Sequence, residues 1–230
     1  TTRDGLIHDM IWSLRWDGSV LWIGTQAGIS FMTPDGRFER IDKKVTNGGL
    51  ADIWIGALQR FDRFVCCGND DGLSIWDTTQ FAANPKAWVT LDMFASNLAH
   101  NWILSLASFE NKLWAGTPHG LCRLDASFET VFQANAEYSS NPQALKTLWT
   151  VFNAGNGLPS SRINAIQAWK NALWLGTPAG LCRFQNGGIK VWTTADGLLA
   201  TDVRALAEMD DTLWVGSAGG IQAAAPALNL

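Results

Sequence analysis

Several residue types and patterns are scarce in this sequence, and each absence narrows what the chain can be. Tyrosine occurs once and histidine three times in 230 residues, and charged residues make up only 17%. The net charge is −4, and the basic residues form no run. Because nucleic acids are bound by a concentrated positive surface, no nucleic-acid partner is predicted. No apolar stretch reaches the roughly 18–20 residues that span a bilayer, so no membrane insertion is predicted.

The N-terminus gives no indication of the cellular compartment. The sequence starts at Thr1 without Met, and no signal peptide is visible in it. We therefore expect that the sequence is part of a larger chain. The compartment stays open at this point.

The four cysteines show none of the spacings that metal sites and redox motifs use. No CxxC pair occurs, and no nearby histidine completes a zinc set. Two of them occupy the same place in two copies of the repeat described next. We expect all four to be buried and reduced, and we predict no metal and no cofactor. These residues are Cys66, Cys67, Cys122 and Cys182.

Tryptophan, by contrast, is abundant, with 13 residues, and several of them lie in a recurring phrase. The phrase is Leu-Trp-x-Gly-Thr/Ser-x-x-Gly-Leu/Ile. Its copies lie at 21–29, 113–121, 173–181 and 213–221, with a degraded copy at 65–73. A phrase that returns at intervals of this length indicates a protein built from repeated structural units.

A second phrase precedes each copy of the first one. It is a Gly-Leu or Asn-Leu turn followed by a short apolar segment, with a β-branched residue at its second place and a small residue at its fourth. The segments are 10–14, 54–58, 102–106, 162–166 and 202–206. Alternate residues of a strand share one face, so the small residue predicts close approach of a neighbouring element.

Together the two phrases predict an all-β fold, a single β-propeller over residues 1–230. Each blade has four antiparallel strands: the apolar segment (strand A), the Leu-Trp phrase (strand B), the residues after its second glycine (strand C) and an outer aromatic segment (strand D). Strand D is predicted at 38–41, 88–91, 148–152 and 189–192. The five blades are expected at about 1–48, 49–96, 97–156, 157–196 and 197–230.

The last blade has only a poor candidate for its outer strand, residues 227–230, which follow Pro226. We expect this blade to lack an outer strand unless that segment supplies it. We favour a ring closed through the inner strands, because these can complete a circle while an outer strand is missing. An incomplete blade would leave an exposed edge to which another chain can pair.

The Leu-Trp-x-Gly-Thr-x-x-Gly-Leu phrase resembles the two-component-regulator propeller repeats of bacterial ligand-binding sensor domains. The resemblance covers all five repeats. It implies a sensor in signal transduction, placed outside the cytoplasm and often ahead of a histidine kinase or another output domain. A cytoplasmic location remains open. Many propellers of that family have seven blades, so the five repeats leave two alternatives, a closed five-bladed ring or a piece of something larger.

The longest interval between repeats contains a polar stretch at 126–146. We predict a loop between strands C and D of blade 3. It is interpreted first as a tolerated surface insertion, with a partner-binding arm as the alternative.

Candidate binding residues stand where the repeats differ at an equivalent place. The first position of strand A is such a place, and its side chains are expected to meet at one end of the central channel. They are Met10, Trp54, Trp102, Arg162 and Asp202. Indoles stack on sugar-like ligands, and the two charged groups would fix orientation. Alternatively, these residues plug the channel mouth, with Arg162 paired to Asp202.

Other polar residues are expected on the same face. Two places further along strand A, Trp12, Asn164 and Arg204 are predicted to line the channel more deeply. Asn69-Asp70-Asp71-Gly72 lacks the spacing and the terminal Glu of a calcium loop, so it is interpreted as a solvated turn. The histidines His8, His100 and His119 are placed in loops of different repeats, and a shared metal site is not expected.

No motif for catalysis is found, whether a nucleophile elbow, a zinc-protease helix, a Walker loop or a dinucleotide fingerprint. We therefore predict no enzyme and no catalytic residues. The leading hypothesis is a ligand-binding or sensing module that takes a small polar or carbohydrate-like ligand. The alternative is a scaffold for a protein partner. A metal-dependent lyase-like enzyme ranks third, since propellers host many functions.

Overall fold

A computed structural model describes residues 1–224, and these residues form five small antiparallel sheets. Blade 1 contains β1 (Ile11–Trp16), β2 (Leu21–Thr25), β3 (Gly28–Met32) and β4 (Phe38–Ile41). Blade 2 contains β5 (Ala57–Phe61), β6 (Phe64–Asn69), β7 (Gly72–Asp77) and β8 (Trp88–Leu91). Blade 3 contains β9 (Ser105–Phe109), β10 (Lys112–Thr117), β11 (Gly120–Leu124) and β12 (Trp149–Phe152).

The remaining two blades follow the same order. Blade 4 contains β13 (Ala165–Trp169), β14 (Ala172–Thr177), β15 (Gly180–Gln185) and β16 (Gly188–Trp192). Blade 5 contains β17 (Val203–Met209), β18 (Thr212–Ser217) and β19 (Gly220–Ala223). Neighbouring strands pair in chain order in every sheet. The predicted β-propeller of five blades, with three strands described in the last one, is confirmed; the candidate outer strand at 227–230 lies outside the described residues.

The inner strands of blades 2, 3 and 4 begin three residues later than the sequence predicted, and those of blades 1 and 5 begin one residue later. The cause is a backbone link between blades. The N–H of Ile55 donates to Thr25 O of the preceding blade at 3.0 Å, and the N–H of Gly56 donates to Gly68 O of its own blade at 3.0 Å. The segment before β5 therefore bridges two blades and joins the ladder only at Ala57. Ile103 and Ile163 make the same inter-blade bond to the preceding blade, at 3.1 and 3.0 Å.

In blades 2 to 5 the β-branched residue of the inner segment packs onto a strand-B glycine of the blade before it. A Cβ added to Gly68 would lie 2.6 Å from Ile103 Cγ2, and one added to Gly116 would lie 2.9 Å from Ile163 Cγ2. The small residue at the fourth place touches the same glycine within the blade: Ala57 Cβ would lie 3.1 Å from the Cβ added to Gly68. The predicted close approach is confirmed, and it explains why the phrase needs glycine at this place.

The tryptophans of the repeated phrase pack between blades, as expected. Trp22 of blade 1 meets Trp76 of blade 2 edge-on at 6.4 Å between ring centroids, and Trp114 of blade 3 meets Phe184 of blade 4 at 5.6 Å. Both indoles are buried. Aromatic contacts of this kind belong to the separate cores that lie between neighbouring sheets.

Within residues 1–224 the blades form an open arc. Inner strands pack in the order β1, β5, β9, β13 and β17, and no comparable packing joins β17 back to β1. Ile11 of β1 is 43% exposed, whereas its counterpart Ile55 is fully buried. The expectation of a ring closed by the inner strands is therefore wrong for the described residues.

The insertion in blade 3 is helical, which corrects the predicted loop. It contains α2 (Phe128–Ala136) and α3 (Gln143–Lys146), where Ser127 caps α2 by accepting from the N–H of Thr130 at 3.2 Å. Phe128 packs on Phe64 of blade 2 at 4.7 Å. Helix α2 thus buries one face on the neighbouring blade, and the cap followed by apolar residues at helical spacing was the signal in the sequence.

The other helices are short. An α-helical turn, which we label α1, spans Met93–Ser96, and 3₁₀ turns lie at Thr2–Asp4, Pro85–Ala87, Ala154–Asn156 and Thr194–Asp196. None of the helices in the described part of the chain is long and apolar enough to cross a membrane.

All four cysteines are free and buried, as expected. Burial raises the pKa of Cys182 to about 12, and it raises that of Cys122 to about 12 despite the N–H that Ala99 donates to it. These thiols are therefore packing groups at neutral pH.

Candidate functional site

The predicted channel residues lie in the short segments that lead into the inner strands. In blades 1 to 4 a side-chain acceptor two residues earlier fixes the segment by binding the backbone N–H of the channel residue. The acceptors for Met10, Trp54, Trp102 and Arg162 are His8 Nδ1 at 3.0 Å, Asp52 Oδ1 at 2.7 Å, His100 Nδ1 at 2.9 Å and Ser160 Oγ at 3.0 Å. The repeat thus holds these residues at equivalent places around the channel.

Blades 1, 2 and 3 contribute an aromatic cavity of about 150 Å³. Its lining is Trp12, Trp54, Gly56, Asp70 and Trp102. The three indoles are about half exposed, at 53, 45 and 45% in chain order. Gly56 stands where the other blades carry Trp12, Leu104, Asn164 and Arg204. The missing side chain leaves room between the indoles.

Blades 3, 4 and 5 contribute a polar cavity of about 430 Å³. It is lined by Leu104, Arg162, Asn164, Asp202 and Arg204. Asp202 accepts from Arg204 Nε at 2.7 Å, and Arg162 Nε donates to Asn164 Oδ1 at 2.8 Å. Among the described residues Arg162 makes no ion pair with Asp202, so the pairing that the plug interpretation required is wrong.

Arg162 joins the two cavities. Its guanidinium carbon lies 5.4 Å from the centroid of the Trp102 ring. Its Nη atoms have no hydrogen-bond partner within residues 1–224, because only Nε is engaged, by Asn164. The structure therefore brings Trp102 of the aromatic cavity against Arg162 of the polar cavity.

Most of the candidate residues from the sequence line one of the two cavities. Met10 does not line either cavity, whereas Gly56, Leu104 and Asp70 do. Gly56 and Leu104 occupy the same third place as Trp12, so the repeat alignment was the signal for them. Asp70 belongs to the turn between β6 and β7, which the sequence placed on this face.

The charges on the two sides differ. Partial burial, together with Asp52 and Asp71, raises the pKa of Asp70, so several carboxylates are grouped in blade 2 beside the aromatic cavity. On the opposite side Asp202 is already matched by Arg204 at 2.7 Å, which leaves Arg162 as the unmatched charge of the polar cavity.

Two histidines meet next to the site. The rings of His100 and His119 lie 4.7 Å apart between centroids, and both belong to blade 3, which corrects the placement of the histidines in different repeats. Burial, and secondarily His119, lowers the pKa of His100. Its Nδ1 accepts the backbone N–H of Trp102, so it positions the backbone that carries that indole. No group of three metal-ligating side chains occurs in residues 1–224.

Solved structures confirm the fold, while no family model and no curated protein matches the sequence. The chain is similar to the extracellular domain of BT4673 from B. thetaiotaomicron, assigned as a one component system (TM-score 0.51, 18% identity over 96% of this chain). It is also similar to PorZ, a surface component of the type-IX secretion system of Porphyromonas gingivalis (0.58, 15% over 93%) and to virginiamycin B lyase from Staphylococcus aureus (0.56, 15% over 93%).

The chain spans only part of these proteins. It covers 34% of the BT4673 chain, 31% of PorZ and 69% of the lyase. At such low identity the likeness establishes the propeller and nothing about the ligand.

Proposed function

We propose that this propeller is a ligand-binding or sensing module, with its site at the two joined cavities of the channel face. The observation that carries the proposal is the convergence of side chains from all five blades on those cavities, with Arg162 between them at 5.4 Å from Trp102. Concave sites with aromatic walls and a few placed polar groups are the usual form of small-molecule sites. A small polar or carbohydrate-like ligand suits this arrangement.

The propeller shares its fold with an extracellular domain of a signalling protein, BT4673, and this supports a sensing role. In the proposal the output lies in another domain or a partner chain, and the propeller itself performs no catalysis. The second point rests on the sequence, in which no motif for catalysis is found.

A thermal-shift screen tests the proposal. The panel is made of sugars, oligosaccharides, amino acids and divalent metals, applied to the chain and to Trp102→Ala and Arg162→Ala. A ligand that binds the folded state alone raises the melting temperature by mass action. A shift that disappears in both variants is expected. A shift that persists in both places the ligand elsewhere, and a cooperative unfolding transition that no ligand moves contradicts the proposal.

A second candidate function is a scaffold for a protein partner, because the ends of the arc expose apolar side chains. Leu14 and Trp16 of blade 1 are 63 and 57% exposed, and Ile221 of blade 5 is 75% exposed. A second copy of the chain is the partner that can be tested directly. Solution mass measured at rising concentration, for the chain and for Leu14→Ser, distinguishes the two: self-association that the substitution removes favours the scaffold.

A further inference from the structure

We propose that the site takes a small zwitterion, with an alkylated ammonium group in the aromatic cavity and a carboxylate on Arg162. This inference rests on the proposed function and assigns the chemical class of its ligand. It divides the channel face into a cation end on blades 1–3 and an anion end next to blade 4.

The cation end is defined by the walls of the aromatic cavity. Trp12, Trp54 and Trp102 come from three successive blades and surround a space of about 150 Å³, with Asp70 as its one charged lining residue. That volume equals the space of about five water molecules in the liquid. Tryptophan is the best aromatic partner of a cation, and several rings around one space are how proteins bind quaternary ammonium groups.

The carboxylate of Asp70 supports a cation and opposes an anion at this end. Asp52 and Asp71 lie close enough to raise the pKa of Asp70 after burial itself, so the cavity is bordered by a group of acids on blade 2. An uncharged sugar would gain stacking from the indoles and a hydroxyl hydrogen bond to the carboxylate, but no attraction between opposite charges. An alkylated ammonium group gains from both.

The anion end is defined by Arg162. Its Nε is held by Asn164 at 2.8 Å, and Asn164 Nδ2 is in turn anchored to Val203 O at 2.9 Å. The guanidinium is therefore positioned while both Nη atoms stay unengaged within the described residues. Two N–H groups in the plane of a guanidinium match the two oxygens of a carboxylate. Arg204 does not compete, because it is paired with Asp202.

The proposal is tested with matched small probes on the full chain. Glycine betaine carries both charges, and its carbon isostere 3,3-dimethylbutanoate keeps the shape and the carboxylate but lacks the cation. Choline keeps the cation and lacks the carboxylate. Affinities are measured by isothermal titration calorimetry, with glucose and maltose as uncharged probes.

Betaine is expected to bind more tightly than both single-charge analogues. Trp54→Ala is expected to weaken betaine and choline by roughly three- to thirtyfold, the range of one cation–π contact. Asp70→Asn is expected to weaken the same two probes and to spare 3,3-dimethylbutanoate. Arg162→Met is expected to weaken betaine and 3,3-dimethylbutanoate and to spare choline.

Two control variants separate these effects from general changes. Trp16→Ala removes an exposed indole outside the cavity, and Arg37→Ala removes a cation that is paired with Asp35 in blade 1. Both are expected to leave every affinity unchanged. Circular dichroism melting of each variant identifies any that fails to fold, and Trp54→Phe then replaces Trp54→Ala as the test.

Three outcomes overturn the proposal in distinguishable ways. Equal binding of betaine and 3,3-dimethylbutanoate contradicts the cation end. Binding of maltose that Trp102→Ala and Arg162→Met both abolish, without binding of betaine, contradicts the ligand class and leaves the ligand-binding function standing. The absence of binding for all of these probes contradicts the zwitterion, and the broader thermal-shift panel then decides the ligand-binding function separately.

Discussion

The inner blades and the two end blades are built from the same repeat, yet the same positions are buried in one group and exposed in the other. Ile103 of blade 3 is fully buried against Gly68 of blade 2, while Ile11 of blade 1 is 43% exposed. At the other end, Gly216 of blade 5 meets, among residues 1–224, only Ala205 of its own blade. Each blade therefore offers an isoleucine or valine face to the blade before it and a glycine face to the blade after it.

This comparison shows that the core of the protein lies between blades. A sheet of four short strands has little interior of its own, so a repeat residue becomes a core residue only when a neighbour covers it. The motif alone does not distinguish Ile11 from Ile103, but position along the arc does. Stability is thus expected to depend on the blade in which a substitution is made.

The largest difference in the loss of unfolding free energy is expected between shortening the β-branched residue of an inner blade and shortening that of an end blade. Ile103→Ala removes buried methyl groups and leaves a cavity, so we expect a loss of about 2–5 kcal/mol in the free energy of unfolding. Ile11→Ala, as the matched control, is expected to cost less than about 1 kcal/mol. Urea unfolding of both variants measures the two losses, and equal losses would contradict the idea that interfaces between blades form the core.

A smaller difference in unfolding free energy is expected when a methyl group is added to the glycine that this isoleucine contacts. A Cβ on Gly68 would lie 2.6 Å from Ile103 Cγ2, which is too close, so Gly68→Ala should overpack the interface and cost about 1–3 kcal/mol. Within the described part of the chain the nearest atom to a Cβ on Gly216 is Ala205 Cβ at 3.3 Å, and Gly216→Ala is expected to change the free energy of unfolding by less than about 0.5 kcal/mol. The same urea titration compares them. A larger cost at Gly216 would indicate that this face is covered in the folded protein.

A structural feature could be predicted from the sequence where its physical cause recurs in every blade, and it could not where the cause occurs once. The blades, the glycine positions and the small residues were predictable, because each blade must solve the same packing problem at Gly68, Gly116 and their equivalents. The helices at Phe128–Ala136 and Gln143–Lys146 were missed, because the insertion occurs once and its partner, Phe64, lies in another blade. The start of β5 was missed because the bond from Ile55 to Thr25 joins two blades.

The same contrast between recurring and single causes applies to the candidate site. The repeat alignment predicted which places of the inner segments contribute to the candidate site, which is a periodic property. Its separation into an aromatic and a polar cavity follows from individual residues, namely Gly56, which leaves space, and Asn164, which holds Arg162 at 2.8 Å. No pattern in one repeat predicts which neighbour an arginine will choose, so the pairing of Asp202 with Arg204 became visible only in the structure.

A polar contact that joins an end blade to an inner blade adds a pH-dependent term to the comparison. Asp17 of blade 1 accepts from Trp22 Nε1 at 2.8 Å and from Arg60 of blade 2 at 3.2 Å. Burial acts to raise the pKa of Asp17, but hydrogen bonds from Trp22, Val20 and Ser19 outweigh it and hold the pKa far below its usual range. Asp17→Asn is expected to cost about 1–3 kcal/mol at pH 7, the contribution of a hydrogen bond to a charged group.

The sign of the pH dependence follows from the lowered pKa. The carboxylate stabilises the folded state fully above the pKa that Asp has in the unfolded chain, about 4, and this contribution is lost as pH falls toward the lower folded pKa. The difference between the chain and Asp17→Asn should therefore be largest at neutral pH and shrink below about pH 4. Urea unfolding at several pH values measures it, with Asp210→Asn, in the exposed turn between β17 and β18, as the control. A difference that is constant across pH would contradict this account.

The smallest change in unfolding free energy is expected for a substitution on the exposed face of blade 1, at a place that is buried in blade 2. Leu14 is 63% exposed, whereas Leu58, at the same place in blade 2, is 7% exposed. Leu14→Ser should change the free energy of unfolding by less than about 0.5 kcal/mol, and Leu58→Ser should cost several times more, because it buries a hydroxyl and opens a cavity. A large loss in Leu14→Ser would mean that β1 is covered in solution. If that loss grows with protein concentration, the cover is another copy of the chain, because only association makes stability depend on concentration.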